Sequence, residues 1–427
     1  MVFCRICGTK LQDEARFCDL CGTPIGGVPV QVQHAPSVQV QHAPSVQFST
    51  SLKTGGWRRL FSRLLPVCLA AFAIILLGQY TIQNDVQTFF LDDSYYEQIL
   101  TALRVHPTEY YSIAVALYHQ LYAPTLAIIH FPLIFYIWLL APTIGDVKWL
   151  YFGFALAGTM ASYFAVYTVT RQSLVAALSG AWMAYFLETN AYFMFEYWAI
   201  AVFLVGLAFF ISERYASAAI LIGVATLIKE VFAPFMLIAS IYYLVPLVVS
   251  RLRMKNGLGG SSNQGRRDSR LRIVNRAIVW CVASSIVGLA YYMNGAASQG
   301  TESPVHFFRT FNPSFLPVLF ADSWFQYPPI PVIVTVSLAL IGISAMLRRD
   351  QRIIVYVSFA SMILLMLTAG SEGLISSWEE IQQSSPRYIA MSVALINLFW
   401  LVGLYKVARY IQHWLTPFRI SLRKHQY

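Results

Sequence analysis

His130-Phe131-Pro132-Leu133-Ile134-Phe135-Tyr136-Ile137-Trp138-Leu139-Leu140-Ala141-Pro142 is apolar almost throughout, and its shortness decides the fold. The run between its prolines falls well below the roughly 20 residues that a spanning helix needs. It reads as an interfacial or re-entrant helix on the outer side of a membrane. Spans are expected at about 64–82, 149–170, 173–187, 196–211, 215–229, 232–250, 273–293, 331–347, 353–370 and 388–410. With these spans and a cytoplasmic N-terminus, Arg171, Arg214, the run Arg251 to Arg276, Arg348-Arg349-Arg352 and the tail Arg419 to Lys424 all fall inside, as the positive-inside trend requires. Making 131–142 a full span would put Arg171 outside and force 215–250 into one overlong helix.

Composition agrees. The chain of 427 residues is 57% hydrophobic and only 12% charged, with a mean hydropathy of +0.57, whereas a soluble domain carries about 25% charged residues. Long apolar runs without ten-residue alternation exclude a transmembrane barrel and leave helices, which satisfy their own backbone in lipid. The expected fold is an all-α integral membrane protein of about ten helices, with an outer re-entrant or interfacial loop. The net charge of +10 would point to nucleic acid in a soluble protein. Here the cations cluster at helix ends, so no nucleic-acid partner is expected. The chain starts polar and Cys-rich, without the apolar core of a signal peptide.

That start, residues 1–27, reads Cys4-x2-Cys7-Gly8 and then Cys18-x2-Cys21-Gly22. Four thiolates in two knuckles suit a tetrahedral, closed and structural zinc site. The stretch resembles the small zinc ribbons at the N-termini of many bacterial and archaeal membrane proteins, with a cytoplasmic protein partner as one role. Cys68 and Cys281 lie in apolar segments and read as membrane-packed thiols. Residues 28–56 are a linker with a tandem repeat, Gln31 to Val38 and Gln39 to Val46, too rich in Pro, Ser and Gln to bury a core. Residues 57–427 form the membrane domain. The basic loop 251–272 is solvated and close to anionic lipid.

Outside the first span stands Phe89-Phe90-Leu91-Asp92-Asp93-Ser94-Tyr95-Tyr96-Glu97. Adjacent carboxylates at the lipid boundary are costly and mark chemistry, ion passage or binding. The topology gathers further ionisable residues on the same side: Glu188, Glu196, Lys229, Glu230, His130, and Arg387-Tyr388 at the mouth of the final helix. Each has a plainer reading. Glu188 and Glu196 could be loop charges, and Lys229-Glu230 a local ion pair or a snorkelling loop. His119 and His130 could be interfacial aromatics, and Arg387 a helix anchor. Read together, an acidic pair can hold a divalent metal or act as a general base, while Lys or Arg can clamp a phosphate.

In order along residues 60–410, these features resemble the GT-C superfamily of polytopic glycosyltransferases, which includes the dolichyl-phosphate-mannose-dependent mannosyltransferases and the bacterial lipid A aminoarabinose transferases. Asp92-Asp93-Ser94-Tyr95-Tyr96 is similar to the family's acidic motif in the first outer loop. His130-Phe131-Pro132-Leu133-Ile134-Phe135 is similar to its outer helix, and Tyr167-Thr168-Val169-Thr170-Arg171 to its helix ending in Arg. Glu188 and Glu196 stand where it has a second acidic residue. Gly223 to Lys229-Glu230 and Arg387-Tyr388 complete the series. The family's Lys-Gly-Pro is Lys229-Glu230-Val231 here, and no large outer soluble domain is evident.

The resemblance implies an inverting transfer of a sugar from a polyprenyl-phosphate donor to a glycan, lipid or protein acceptor at the outer face of the cell membrane, both termini being cytoplasmic. Asp92 or Asp93 would be the base, directly or through a divalent metal. Glu188 or Glu196 would assist, and Lys229, Glu230, Arg387, Tyr388, Tyr96 and His130 would bind substrate. A transporter or flippase of lipid-linked or polar solutes, and a non-enzymatic scaffold using the zinc ribbon, are the competing classes.

Overall fold

The computed structural model describes residues 2–3, 10–11, 54–83, 91–121, 131–188, 194–255, 264–297, 332–346, 348–369 and 390–424. The chain divides into two compact units, Met1–Thr54 and Gly55–Tyr427. In the first, strands β1 (Val2–Phe3) and β2 (Lys10–Leu11) pair antiparallel, Phe3 opposite Lys10. The hairpin so formed brackets Cys4-x2-Cys7-Gly8 in sequence. The four cysteines themselves lie outside the described residues.

The second unit is helical. Its elements are α1 (Thr54–Gln83), α2 (Leu91–Val105), α3 (Tyr110–Leu121), α4 (Leu133–Trp138), α5 (Val147–Thr170), α6 (Ser173–Glu188), α7 (Phe195–Ile211) and α8 (Tyr215–Ile228), followed by α9 (Ala233–Lys255), α10 (Gln264–Ala297), α11 (Val332–Ile343), α12 (Arg349–Ala369) and α13 (Ala390–Lys424). Tight turns link α5 to α6 and α7 to α8. Arg171 and Glu213 take left-handed conformations there, with φ of 57° and 65°. Such short links make neighbouring helices antiparallel. The core runs through α5 to α10 and the first half of α13, including Trp198, Phe203, Phe210, Phe232, Phe235, Trp280 and Phe399.

Among the described residues, four stretches are long and apolar enough to cross a bilayer: Val147–Thr170, Glu230–Val249, Leu271–Asn294 and Met391–Trp414. Five further apolar helices are shorter, at 10–17 residues. Several helices therefore suit membrane insertion, while the expectation of about ten spans is met only in this coarser form. Three of the shorter helices are short in fact. At about 1.5 Å per residue, α6, α7 and α8 are roughly 24, 26 and 21 Å long, against about 30 Å of hydrocarbon. Segment 130–142 matches its reading as a non-spanning piece. Its helix α4 has only six residues, with Ile134, Phe135 and Trp138 buried.

The bundle has two chemically distinct ends. At one, the α7–α8 turn meets the start of α12. Arg276 Nη1 lies 3.0 Å from Asp350 Oδ2, Tyr243 donates to the same oxygen at 3.0 Å, and the Arg276 guanidinium sits 4.2 Å from the centre of the Tyr215 ring. Arg348 pairs with Glu213, and Gln351 donates to the Phe210 carbonyl at 2.7 Å. This is the arginine end. The other end carries Glu188, Glu196 and Lys229.

Helices α11 and α13 cross where glycine is required. A Cβ on Gly342 would overlap the Phe399 carbonyl, and one on Gly403 the Leu338 carbonyl. Backbone atoms cannot move aside as side-chain tips can, so close helix approach in membranes selects small residues. Gly403→Ala is expected to destabilise the fold by about 1–3 kcal/mol, read as a lower thermal midpoint in detergent. Gly288→Ala is the control, because nothing lies within 4 Å of the added carbon.

Candidate functional site

Helix α7 begins and α8 ends at the same end of the bundle, because the two run antiparallel through a tight turn. That places Glu196, in the first turn of α7, against Lys229, the residue that stops α8. Lys229 is extended (φ −147°, ψ 121°), and a 3-10 turn at Glu230–Phe232 follows. Lys229 Nζ lies 3.2 Å from Glu196 Oε1, with each side chain 9% exposed. Glu230 Oε1 lies 3.6 Å from the same nitrogen but is 49% exposed. Burying a charge pair is tolerated only when geometry and further hydrogen bonds offset desolvation. Among the described residues, two carboxylates thus approach one ammonium.

An aromatic cluster begins at the residue beside Glu196. Phe195, the neighbour of Glu196, has its ring centre 4.7 Å from Tyr96 on α2, 5.4 Å from Trp138 and 5.6 Å from Phe135 on α4. Tyr96 also contacts Trp138 at 6.2 Å, and Trp198, one turn on from Phe195, lies 6.1 Å from Trp138. On the far side, Tyr291 of α10 donates to the Thr226 carbonyl, and Tyr111 of α3 donates to Asn294 Oδ1 at 2.8 Å. The three helices that lie between α1 and α5 thus pack over the ends of α7, α8 and α10. Tyr110 on α3 is buried among Tyr95 and Tyr111, which holds its phenol well above the ordinary range and keeps it neutral.

The structure brings together four of the residues expected in the site: Tyr96, Glu196, Lys229 and Glu230. Glu188 lies at the same end, where the neighbouring Leu187 carbonyl accepts a 2.7 Å hydrogen bond from Tyr151. Glu188 is just past the apolar part of α6, and burial raises its carboxyl pKa. Asp92 and Asp93 occupy the first turn of α2, about one turn before Tyr96. Their side chains are outside the described residues, as are His130, Arg387, Tyr388 and the loop between α6 and α7. No group of three or more His, Cys, Asp or Glu forms a metal centre among the described residues. Residue-by-residue reading missed Tyr111, Tyr291 and Asn294. Their signal was present in Tyr291-Tyr292 and Asn294, polar groups near the end of an otherwise apolar helix.

Comparison with known proteins adds one element. The zinc-ribbon domain family matches residues 3–25. This chain is therefore zinc-ribbon-bearing. No curated protein and no solved structure matches it. The ribbon's two Cys-x2-Cys-Gly knuckles are a four-thiolate donor set for structural zinc.

Proposed function

We propose that the membrane domain is an inverting glycosyltransferase that moves a sugar from a polyprenyl-phosphate donor to an acceptor at the site end of the bundle. The observation that carries this reading is the buried Glu196 and Lys229 pair, roofed by non-spanning helices of which one, α2, begins with Asp92-Asp93. Asp92 or Asp93 takes the proton from the acceptor hydroxyl or amine as its oxygen or nitrogen attacks the anomeric carbon. The bond to the lipid phosphate breaks, and the phosphate leaves with the electron pair. Glu196 holds Lys229 in place, and Lys229 with Arg387 offsets the charge that develops on the phosphate. Arg387, or a divalent metal at Asp92 and Asp93, supplies further positive charge for the phosphate in this reading. We place the site on the outer face of the cell membrane, with both termini cytoplasmic, because the opposite end carries the arginines.

The test supplies radiolabelled polyprenyl-phosphate hexoses to membranes containing the full chain and follows loss of label from the lipid. Loss above that in membranes lacking the protein supports transfer. Equal loss across a panel of sugars rejects it.

The break between α8 and α9, with a charged residue buried beside it, also suits a transporter, whose binding helices are commonly interrupted. Uptake of labelled donor into vesicles without cleavage of the lipid phosphate would favour that second reading.

The zinc ribbon and linker are separate from this chemistry. Deleting residues 1–56 is expected to leave transfer within about twofold of the full chain, since the ribbon's zinc site is closed and structural. Loss of activity with normal insertion would instead assign the ribbon a working role through a cytoplasmic partner.

A further inference from the structure

Helix α13 runs from Ala390 to Lys424, 35 residues, or about 52 Å. A bilayer core takes up about 30 Å. The excess lies at the arginine end: Lys406 Nζ bonds Ser344 Oγ at 2.6 Å, just past the end of α11, and Arg352 reaches the Ser344 carbonyl. Beyond Lys406, Tyr410, Ile411 and Trp414 are 75%, 49% and 64% exposed.

The sequence of this overrun is sharply two-faced. At 3.6 residues per turn, Val407, Ile411, Trp414, Leu415, Phe418 and Leu422 share one arc of roughly 100°. Lys406, Arg409, Arg419, Arg423 and Lys424 fall outside that arc, and α13 contains no Asp or Glu. An apolar stripe with Trp and Phe, and charges outside it that are all cationic, has the composition of helices that lie in a membrane interface. A water-exposed helix would not be expected to keep it. Pro417 has no amide to donate to the residue 413 carbonyl, so the helix axis can bend there. Helix α10 overruns the same end, beyond Arg276, and carries Arg266, Arg267, Arg270 and Arg272. That makes this end strongly attractive to anionic lipid.

We propose that residues 409–424 are an amphipathic anchor that docks on the anionic phospholipid surface at the arginine end, with its apolar arc at the acyl boundary and its cations on lipid phosphates. The anchor is independent of the transferase reading.

Hydrogen exchange of the full chain in nanodiscs tests it. One set of discs is pure phosphatidylcholine, and the other contains about one third phosphatidylglycerol, enough to give a negative surface. Amides of 409–424 are expected to exchange about tenfold more slowly in the anionic discs, and the charge-reversed R419E/R423E/K424E chain is expected to lose that difference. The core of α5 and α7 should exchange alike throughout, which confirms an intact fold. Equal exchange in the two lipids, or slowing that survives charge reversal, would overturn the proposal. The second result would assign the apolar arc to a protein contact.

Discussion

Lys229→Met should lower the stability of the membrane domain by about 3–5 kcal/mol, because it strands the buried Glu196 carboxylate without its cation. The two side chains are equally enclosed and 3.2 Å apart. Joining Glu196→Gln to Lys229→Met removes both charges and should restore most of the loss, since replacing a buried pair by neutral groups is often close to neutral. Glu230→Gln should cost at most about 1 kcal/mol, because a half-exposed carboxylate keeps its hydration. Thermal unfolding in detergent of wild type, Lys229→Met, Glu196→Gln and the double variant forms the cycle. A Lys229→Met protein as stable as wild type would show that the pair is solvated, and with it would go the argument that this end of the bundle is enclosed. The same cycle separates stability from chemistry: the double variant is expected to be stable and inactive.

What the sequence revealed followed its chemistry. The prolines around 131–142 and the shortness of that run marked a non-spanning segment, and a six-residue helix stands there. Lys229-Glu230 between two apolar runs marked a break, and the chain does leave the α-helix at Lys229. Both signals are local, set by backbone geometry and by the cost of a charge in lipid. The partner of Lys229 was not legible. Glu196 and Glu230 are both acidic and both close to the segment ends, and only the antiparallel α7–α8 hairpin brings Glu196 against the ammonium. The bond from Tyr111 to Asn294 joins residues 183 apart, which no periodicity encodes. One span, expected at 331–347, was also overdrawn. Hydropathy continues through Leu347, yet α11 stops at Ile343, where its end is held by Lys406 and Arg352 around Ser344. The polar, cation-rich continuation of α13 read simply as a tail, because hydropathy falls there although the helix goes on to Lys424.

Asp92→Ala with Asp93→Ala carries the largest expected effect on activity. If one of them is the general base, its removal should slow transfer by about 10²–10⁴-fold. The fold should tolerate the change. Both residues stand in the first turn of α2, where a carboxylate contributes only about 0.3–1 kcal/mol through the helix dipole, and α2 is held further along by buried Ile99, Leu100 and Leu103. A large rate loss with normal insertion and an unchanged melting profile is therefore the signature of chemistry. The single variants divide the roles. The base alone should reproduce nearly the full loss, whereas two ligands of a shared divalent metal should each cause most of it, with partial recovery at raised metal concentration. Glu188→Gln and Glu196→Gln provide the contrast, since assisting carboxylates should slow transfer less than loss of the base. Transfer at the wild-type rate in the Asp92 and Asp93 double variant would remove the base from the mechanism. The buried pair at Lys229 would then be left without a reaction to serve, and the interrupted α8–α9 segment would be better read as part of a transport path.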